Sequence, residues 1–350
     1  MKGAFAKYTL DFRFTAITSR DRMNRKETFY IKVFDAAAPE VFGIGECALF
    51  RGLSCDDRPD YEQKLEAVCS DIDRYTADHS LLADYPSIRM GLETAIHDLR
   101  NGGRRIVFPS TWTSGRDSIV INGLVWMGDK ELMAKRINDK IKDGFHCVKL
   151  KIGGINFDDE IDLLRLIRNI CPDIQLRVDA NGAFTPDNAL ERLNRLAEYK
   201  IHSIEQPIRQ GQWDAMAELC RHTPIPIGLD EELIGLNSPA VKAEMLDTIR
   251  PQYIILKPTL CGGFSGSDEW IRLASERNIG WWATSALESN IGLNAISQWV
   301  ATYQPTMPQG LGTGQLYHNN IPSPLKLTGE LLSYDHHSKW NIPDLEWNEF

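Results

Sequence analysis

Long apolar runs are missing from this 350-residue chain. No segment approaches the roughly 18 uninterrupted apolar residues that a bilayer crossing needs. Residues 1–13 alternate apolar and polar side chains and lack the continuous apolar stretch of a signal peptide, so a cytoplasmic protein is expected. Positive charge is also short. The 39 Lys and Arg face 48 Asp and Glu, a net charge of −9, which argues against nucleic acid or an anionic membrane as partner. The seven cysteines (Cys47, Cys55, Cys69, Cys147, Cys171, Cys220 and Cys261) are odd in number and form no CxxC pair. They read as free thiols in a reducing compartment, and a zinc site built from cysteines is not expected. No Walker or dinucleotide-binding glycine pattern is present. The doublet Gly262-Gly263 follows a predicted strand and reads as a turn.

What is present falls into two patterns. In the first hundred residues Phe5–Phe14, Thr28–Phe34 and Val41–Cys47 read as strands, followed by helical patterns over Tyr61–Tyr75 and Ser87–Arg100. Strands followed by helices predict an α+β unit. From residue 118 short β-rich runs alternate with amphipathic stretches. The runs are Ser118–Val125, Cys147–Lys151, Gln175–Val178, Ile201–Glu205, Ile225–Leu229, Tyr253–Lys257, Gly280–Thr284 and a weak one at Gly310–Gly312. Their spacing is about one βα unit each, which predicts a TIM-type α/β barrel. The prolines Pro322 and Pro324 disfavour a last helix. The expectation is a (β/α)7β barrel over 116–320, an α+β capping domain over 1–115, and a tail, 321–350, that returns to complete the cap. The Arg20–Lys26 stretch is expected to be a mobile cap loop over the barrel mouth.

The chemistry lies at the strand ends. Lys149 and Lys151 are two apart on the second barrel run, so both ammonium groups share one face. Asp179, Glu205 and Asp230 end the third, fourth and fifth runs, and Lys257 ends the sixth, at intervals of 26, 25 and 27 residues. Taken singly, each acid reads equally as a helix N-cap, and the lysines as a solvated strand end. The shared phase favours one site, because the C-terminal strand ends are where barrels keep their active sites. Three carboxylates without His or Cys favour Mg²⁺, with Mn²⁺ as a substitute. Strands two and six face each other across a barrel, so the lysines would flank a ligand. A divalent cation and two amines suit removal of a proton α to a carboxylate, with one lysine as base.

The motifs Val148-Lys149-Leu150-Lys151-Ile152-Gly153, Val178-Asp179-Ala180-Asn181-Gly182, Ile204-Glu205-Gln206-Pro207, Leu229-Asp230-Glu231 and Leu256-Lys257-Pro258 together resemble the enolase superfamily, in its muconate-lactonizing subgroup. Within the subgroup, Lys257-Pro258-Thr259 with Gly262-Gly263, and Ser285-Ala286-Leu287-Glu288-Ser289-Asn290-Ile291-Gly292, are similar to the sixth and seventh strand regions of the o-succinylbenzoate synthases. The resemblance implies Asp179, Glu205 and Asp230 as Mg²⁺ ligands, Lys151 as the base, Lys257 as the cation over the opposite ring face, and Lys149 as a donor to the substrate carboxylate. It implies a syn dehydration of 2-succinyl-6-hydroxy-2,4-cyclohexadiene-1-carboxylate in menaquinone synthesis. Arg177, Asn181, Ser285 and Glu288 are expected at the substrate. For Arg177 a structural ion pair inside the barrel is the alternative; for Ser285 and Glu288 the alternative is that they order the seventh loop, and for Glu288 a hold on a neighbouring ammonium rather than a part in the chemistry.

Other readings stay open. An N-acylamino acid racemase, or another racemase or epimerase of the subgroup, would use the same acids and lysines. The segment Gly312-Thr313-Gly314-Gln315 lacks the acids that would meet a dipeptide ammonium. A non-catalytic carboxylate binder has no evident need for a lysine on each ligand face. Asp335-His336-His337 reads as solvated tail. The expected partner is a small carboxylate, and homo-oligomer formation is left open.

Overall fold

The computed structural model describes residues 1–17 and 22–350. Three long strands open the chain: β1 (Lys2–Ile17), β2 (Arg22–Asp35) and β3 (Ala38–Cys47), paired antiparallel in sequence order. One face of this sheet carries Phe5, Phe29, Ile31 and Val33. It packs on helices α1 (Tyr61–Ser70), α2 (Ile72–Ala77) and α3 (Pro86–Arg100). Glycines set the distance between β3 and α3. A Cβ at Gly43 or Gly45 would stand 1.8 or 1.9 Å from the carbonyl oxygens of Ala95 and Gly91, so only glycine permits this contact. The helix expected over Tyr61–Tyr75 is two helices, because the Asp71 carboxylate accepts the Arg74 N–H and starts the second. The expected loop over Arg20–Lys26 also needs correction. Met23, Arg25 and Lys26 pair with Ala16, Asp11 and Leu10 within the β1–β2 ladder, while Arg20 and Asp21 lie outside the described residues.

From residue 118 strands and helices alternate. β4 (Ser118–Val120) is followed by β5 (Gly123–Val125), β6 (Cys147–Lys151), β7 (Gln175–Asp179), β8 (Ser203–Glu205), β9 (Ile227–Leu229), β10 (Tyr253–Leu256) and β11 (Gly280–Ala283). β5 to β11 form one parallel sheet in sequence order. The helices are α4 (Lys130–Lys142), α5 (Phe157–Ile170), α6 (Pro186–Ala197), α7 (Trp213–His222), α8 (Pro239–Ile249), α9 (Gly263–Ser275) and α10 (Asn290–Thr302). Their starts follow local chemistry. Asp129 and Asn156 accept the Leu132 and Asp158 N–H groups, and Thr185 and Asn188 form a capping box with Pro186 at the first helical position.

Alternation along the strands sorts the side chains. Leu150, Leu176, Val178, Ile204, Leu229 and Ile254 are fully buried in the apolar core. Lys149, Lys151, Arg177, Asp179 and Glu205 take the opposite face. The expected run Ser118–Val125 divides. β12 (Leu325–Thr328) and β13 (Leu331–Tyr334) form a hairpin, and β4 leaves the parallel sheet to pair antiparallel with β13. No strand forms over Gly310–Gly312. Instead Gln309 bridges Ile121 and Gly310 bridges Thr284, both parallel, so this segment touches both edges of the sheet. The last strand, β14 (Asn348–Glu349), pairs with β1. Asn319 accepts the Asp11 N–H and donates to the Thr9 carbonyl, each at 2.8 Å. Among the described residues no helix is long and apolar enough to cross a membrane.

Candidate active site

Strand register brings the motif residues together. Lys151 of β6 is level with Asp179 of β7, and Asp179 with Glu205 of β8. Asp230 and Lys257 follow the ends of β9 and β10. Lys149 lies one pleat deeper, level with Arg177. The three acids are buried, at 0%, 2% and 2% exposure for Asp179, Glu205 and Asp230.

Each ammonium group is tied to these acids. Lys149 Nζ donates to Glu205 Oε2 at 2.9 Å and Asp179 Oδ2 at 3.2 Å. Lys151 Nζ donates to Asp179 Oδ2 at 2.6 Å and Asn181 Oδ1 at 2.7 Å. Lys257 Nζ donates to Asp230 Oδ2. Burial opposes the charge on Lys149, but Glu205 and Asp179 outweigh it and its pKa ends above the ordinary lysine value. The same balance, led by Asp230, raises Lys257. Burial works against the Asp179 carboxylate too, yet Lys151 and Lys149 hold its pKa well below the usual range. Glu205 is pushed up, by burial and then by the facing Asp179, with Asp230 adding to the repulsion.

Glu205 thus stands among mutually repelling carboxylates. Glu231 also lines the cavity and accepts the Asn181 Nδ2–H at 2.9 Å. Four carboxylates against three ammonium groups leave this cluster one negative charge when all are ionised. A divalent cation would turn that into one positive charge, a fit for a carboxylate ligand. The donor set is all hard oxygen, as Mg²⁺ requires. Among the described residues no three His, Cys, Asp or Glu side chains stand in ligating geometry. The acids' oxygens are turned onto the lysines instead.

The loops behind the acids are braced. Gln206, at φ 40°, accepts the N–H groups of Asp230 and Glu232 on Oε1 at 3.2 and 3.3 Å and donates from Nε2 to the Glu232 carboxylate at 3.1 Å. Above the acids opens a cavity of about 330 Å³. Lys149, Lys151, Asn181 and Lys257 contribute its polar floor, Leu124, Trp126, Leu260 and Leu287 its walls, and Met23, Phe50 and Leu53 its roof.

Residues 132–332 match the family model described as Enolase C-terminal domain-like. The chain is 46% identical to an o-succinylbenzoate synthase of Desulfotalea psychrophila, over 95% of this chain and 98% of that one. The chain belongs to the enolase superfamily.

The solved MenC of the same organism superposes on this superfamily member with a TM-score of 0.84 at 44% identity, over 95% of this chain and 99% of that one. The L-Ala-D/L-Glu epimerase of Bacillus subtilis shares the fold at a TM-score of 0.82, with 19% identity over 95% and 96% of the two chains. A D-Ala-D/L-Ala epimerase of Cytophaga hutchinsonii is 30% identical over 72% of this chain and 71% of its own.

Set against the superfamily pattern, the six acids and lysines converge as the sequence phase predicts. Asn181 and Ser285 also reach the cavity. Two expectations are corrected. Arg177 is 1% exposed and does not line the cavity. Its guanidinium lies 4.2 Å over the Trp282 ring, and Nη1 donates to the Pro308 carbonyl at 2.8 Å. Two residues toward the strand start is one pleat, about 7 Å, below Asp179. Glu288 is fully buried behind the wall rather than at the cavity, where it accepts from Thr259 Oγ1 at 2.6 Å and from Ser285 Oγ, in line with the loop-ordering alternative.

Sequence reasoning missed the walls and, of the roof, Phe50 and Leu53, and gave no role to Glu231. The adjacency Asp230-Glu231 was a usable signal. Phe50 and Leu124 carried none, being ordinary apolar residues on separate elements, whereas Met23 lies in the stretch expected over the barrel mouth. Gly262-Gly263 is a turn, at φ 92° and 73°, and the N–H groups of Phe264 and Ser265 are already taken by Glu93 Oε2 of α3.

Proposed function

We propose that this enzyme is an o-succinylbenzoate synthase, a carbon–oxygen lyase that dehydrates 2-succinyl-6-hydroxy-2,4-cyclohexadiene-1-carboxylate on the way to menaquinone in the cytoplasm. The observation that carries the reading is the 46% identity to such a synthase across nearly the whole of both chains. The cavity supports it, with Lys151 and Lys257 entering from strands four places apart in the sheet. Its apolar walls suit a carbocyclic ring.

Asp179, Glu205 and Asp230 are the proposed holders of Mg²⁺, with Mn²⁺ as substitute. When bound, the ion supplies electrostatic stabilisation of charge developing on the substrate carboxylate. Lys151, as the free amine, takes the proton α to that carboxylate. It then gives the proton to the hydroxyl leaving from the same face, so that water departs and the ring becomes aromatic. Lys257 remains an ammonium on the opposite face, and Asp230 holds it there. Lys149 is anchored by Glu205 and Asp179 and donates to the substrate carboxylate. Asn181 holds the Lys151 amine in line, through the 2.7 Å contact, and is itself oriented by Glu231. Ser285 lines the far wall, with its hydroxyl donating to Glu288.

The proposed organisation is a (β/α)7β barrel over 116–320 capped by 1–115, with 321–350 returning to the cap. The parallel bridges at Gln309 and Gly310 and the β1–β14 pairing support it. Lys151→Ala tests the base. Dehydration should be lost while the thermal transition stays in place. Turnover retained by that variant would exclude Lys151 from the chemistry.

A further inference from the structure

Glu93 has no part in the chemistry above, yet its carboxylate is buried and fully engaged, at 5% exposure. It projects from α3, the helix packed on the N-terminal sheet, to the start of α9. Oε2 accepts the Phe264 N–H at 2.7 Å and the Ser265 N–H at 3.3 Å. Oε1 accepts from Ser265 Oγ–H and from Arg89 Nε at 3.1 Å, and His79 Nδ1 lies 3.2 Å from it. Burial opposes the charge, but His79, Ser265 and Arg89 outweigh it and hold the pKa below the ordinary glutamate value.

These contacts supply what α9 lacks. The first N–H groups of a helix have no partner within it, and an N-cap side chain accepts one at the second or third position. The residue that precedes α9 is Gly262, which has no side chain to offer. Phe264 and Ser265 are the second and third residues of the helix. Glu93 thus serves as the N-cap from another element, and sets a negative charge at the positive end of the helix. The glycine doublet makes room for it, since a Cβ at Gly263 would stand 2.4 Å from Glu93 Oε2.

The start of α9 is tied in turn to the segment that leaves β10. The Gly263 N–H donates to the Pro258 carbonyl at 2.8 Å, and the Lys257 carbonyl accepts the Leu260 and Cys261 N–H groups at 2.7 and 3.0 Å. Lys257 and Leu260 both line the cavity. We propose that Glu93 is a positioning residue: it caps α9 from α3 and so fixes the turn at 257–262 that places Lys257 in the substrate cavity. Without the carboxylate the first turn of α9 frays, and the turn that carries Lys257 loses its anchor. The kinetic consequence rests on the reading given under Proposed function, whereas the capping does not.

The test uses the full-length enzyme and two variants. Glu93→Gln keeps the size and removes the charge, and Ser265→Ala removes one donor to the carboxylate from the α9 side. Amide exchange reads the cap directly, because first-turn N–H groups are protected only where something outside the helix accepts them. In Glu93→Gln, exchange at Phe264 and Ser265 should quicken about tenfold, the loss of one charge-assisted hydrogen bond. Leu260 and Cys261 should quicken with them, while amides of α1 and β6 keep their rates. For dehydration kcat should fall about tenfold with KM within about threefold, since Lys257 acts on charge that develops during the reaction. Ser265→Ala disturbs less and should fold even where Glu93→Gln does not, with exchange at Phe264 about threefold faster. Unchanged exchange at Phe264 in both variants would overturn the capping, and so would an equal rise over α1 and β6. A raised KM with unchanged kcat in Glu93→Gln would overturn the link to Lys257. If wild type fails to dehydrate the substrate, the functional reading falls while the exchange result still decides the cap.

Discussion

Glu160→Gln should change the pH dependence of stability by an amount the structure bounds. Glu160 stands in the first turn of α5 at 1% exposure. Its Oε1 accepts the N–H groups of Gly153 and Gly154 at 2.6 and 3.2 Å, which holds the loop that leaves Lys151. Its Oε2 is buried without a partner among the described residues. Burial therefore pushes the carboxyl pKa from 4.5 up to about 7, against the pull of those N–H groups. Below pH 4.5 the group is protonated in both the folded and the unfolded chain. Between 4.5 and 7 the folded chain keeps a proton that the unfolded chain has lost, so stability falls as pH rises, and above 7 the full cost is in place. At about 1.4 kcal/mol per pH unit, that interval sets an upper bound of roughly 3.5 kcal/mol. Glutamine keeps the Oε1 acceptor and cannot ionise. Urea unfolding of wild type and variant at pH 4.5, 6, 7 and 8 gives the difference in stability at each pH. Any constant penalty from the new buried amide cancels in the trend. The difference should move by up to about 3.5 kcal/mol in favour of glutamine between pH 4.5 and 8. A difference flat across that range would refute the reasoning.

Three further outcomes follow from placement. Arg177→Met should lower the thermal transition, because the Trp282 stack and the Pro308 contact are lost, yet leave KM within about twofold, since the residue lies below the cavity. A tenfold rise in KM would place Arg177 at the substrate after all. Chelation should abolish dehydration, and Mg²⁺ or Mn²⁺ should restore it. Asp230→Asn should weaken Mg²⁺ binding by about tenfold or more in calorimetry, since one of the three proposed carboxylate ligands is lost, and unchanged binding would remove Asp230 from the proposed ion site.

How far the sequence could be read depended on the kind of information each feature needs. Cys147–Lys151 matches β6 in full because all five residues are buried and their alternation is a local property. The 26, 25 and 27 residue intervals located the acids and Lys257 because every βα unit resets the phase at a strand end. Period-two alternation gives a face but not a depth, which is why Arg177 read as a substrate contact while lying one pleat below Asp179. The run Ser118–Val125 read as one strand because the partner that draws β4 away, β13, lies more than two hundred residues on. Lys26 read as part of a mobile cap loop because its place opposite Leu10 in the β1–β2 ladder depends on a strand that precedes the stretch. The roof residues Met23, Phe50 and Leu53 become a cavity only when the N-terminal sheet is set on the strand ends.

The most direct measurement compares kcat/KM for dehydration of 2-succinyl-6-hydroxy-2,4-cyclohexadiene-1-carboxylate with kcat/KM for racemisation of N-succinyl amino acids, on the purified enzyme with Mg²⁺. Both reactions would use the same proposed acids and the same two lysines, so the ratio isolates the substrate. The account predicts the larger value for dehydration. A larger value for racemisation would contradict it, and would make this chain a racemase built on the same six residues.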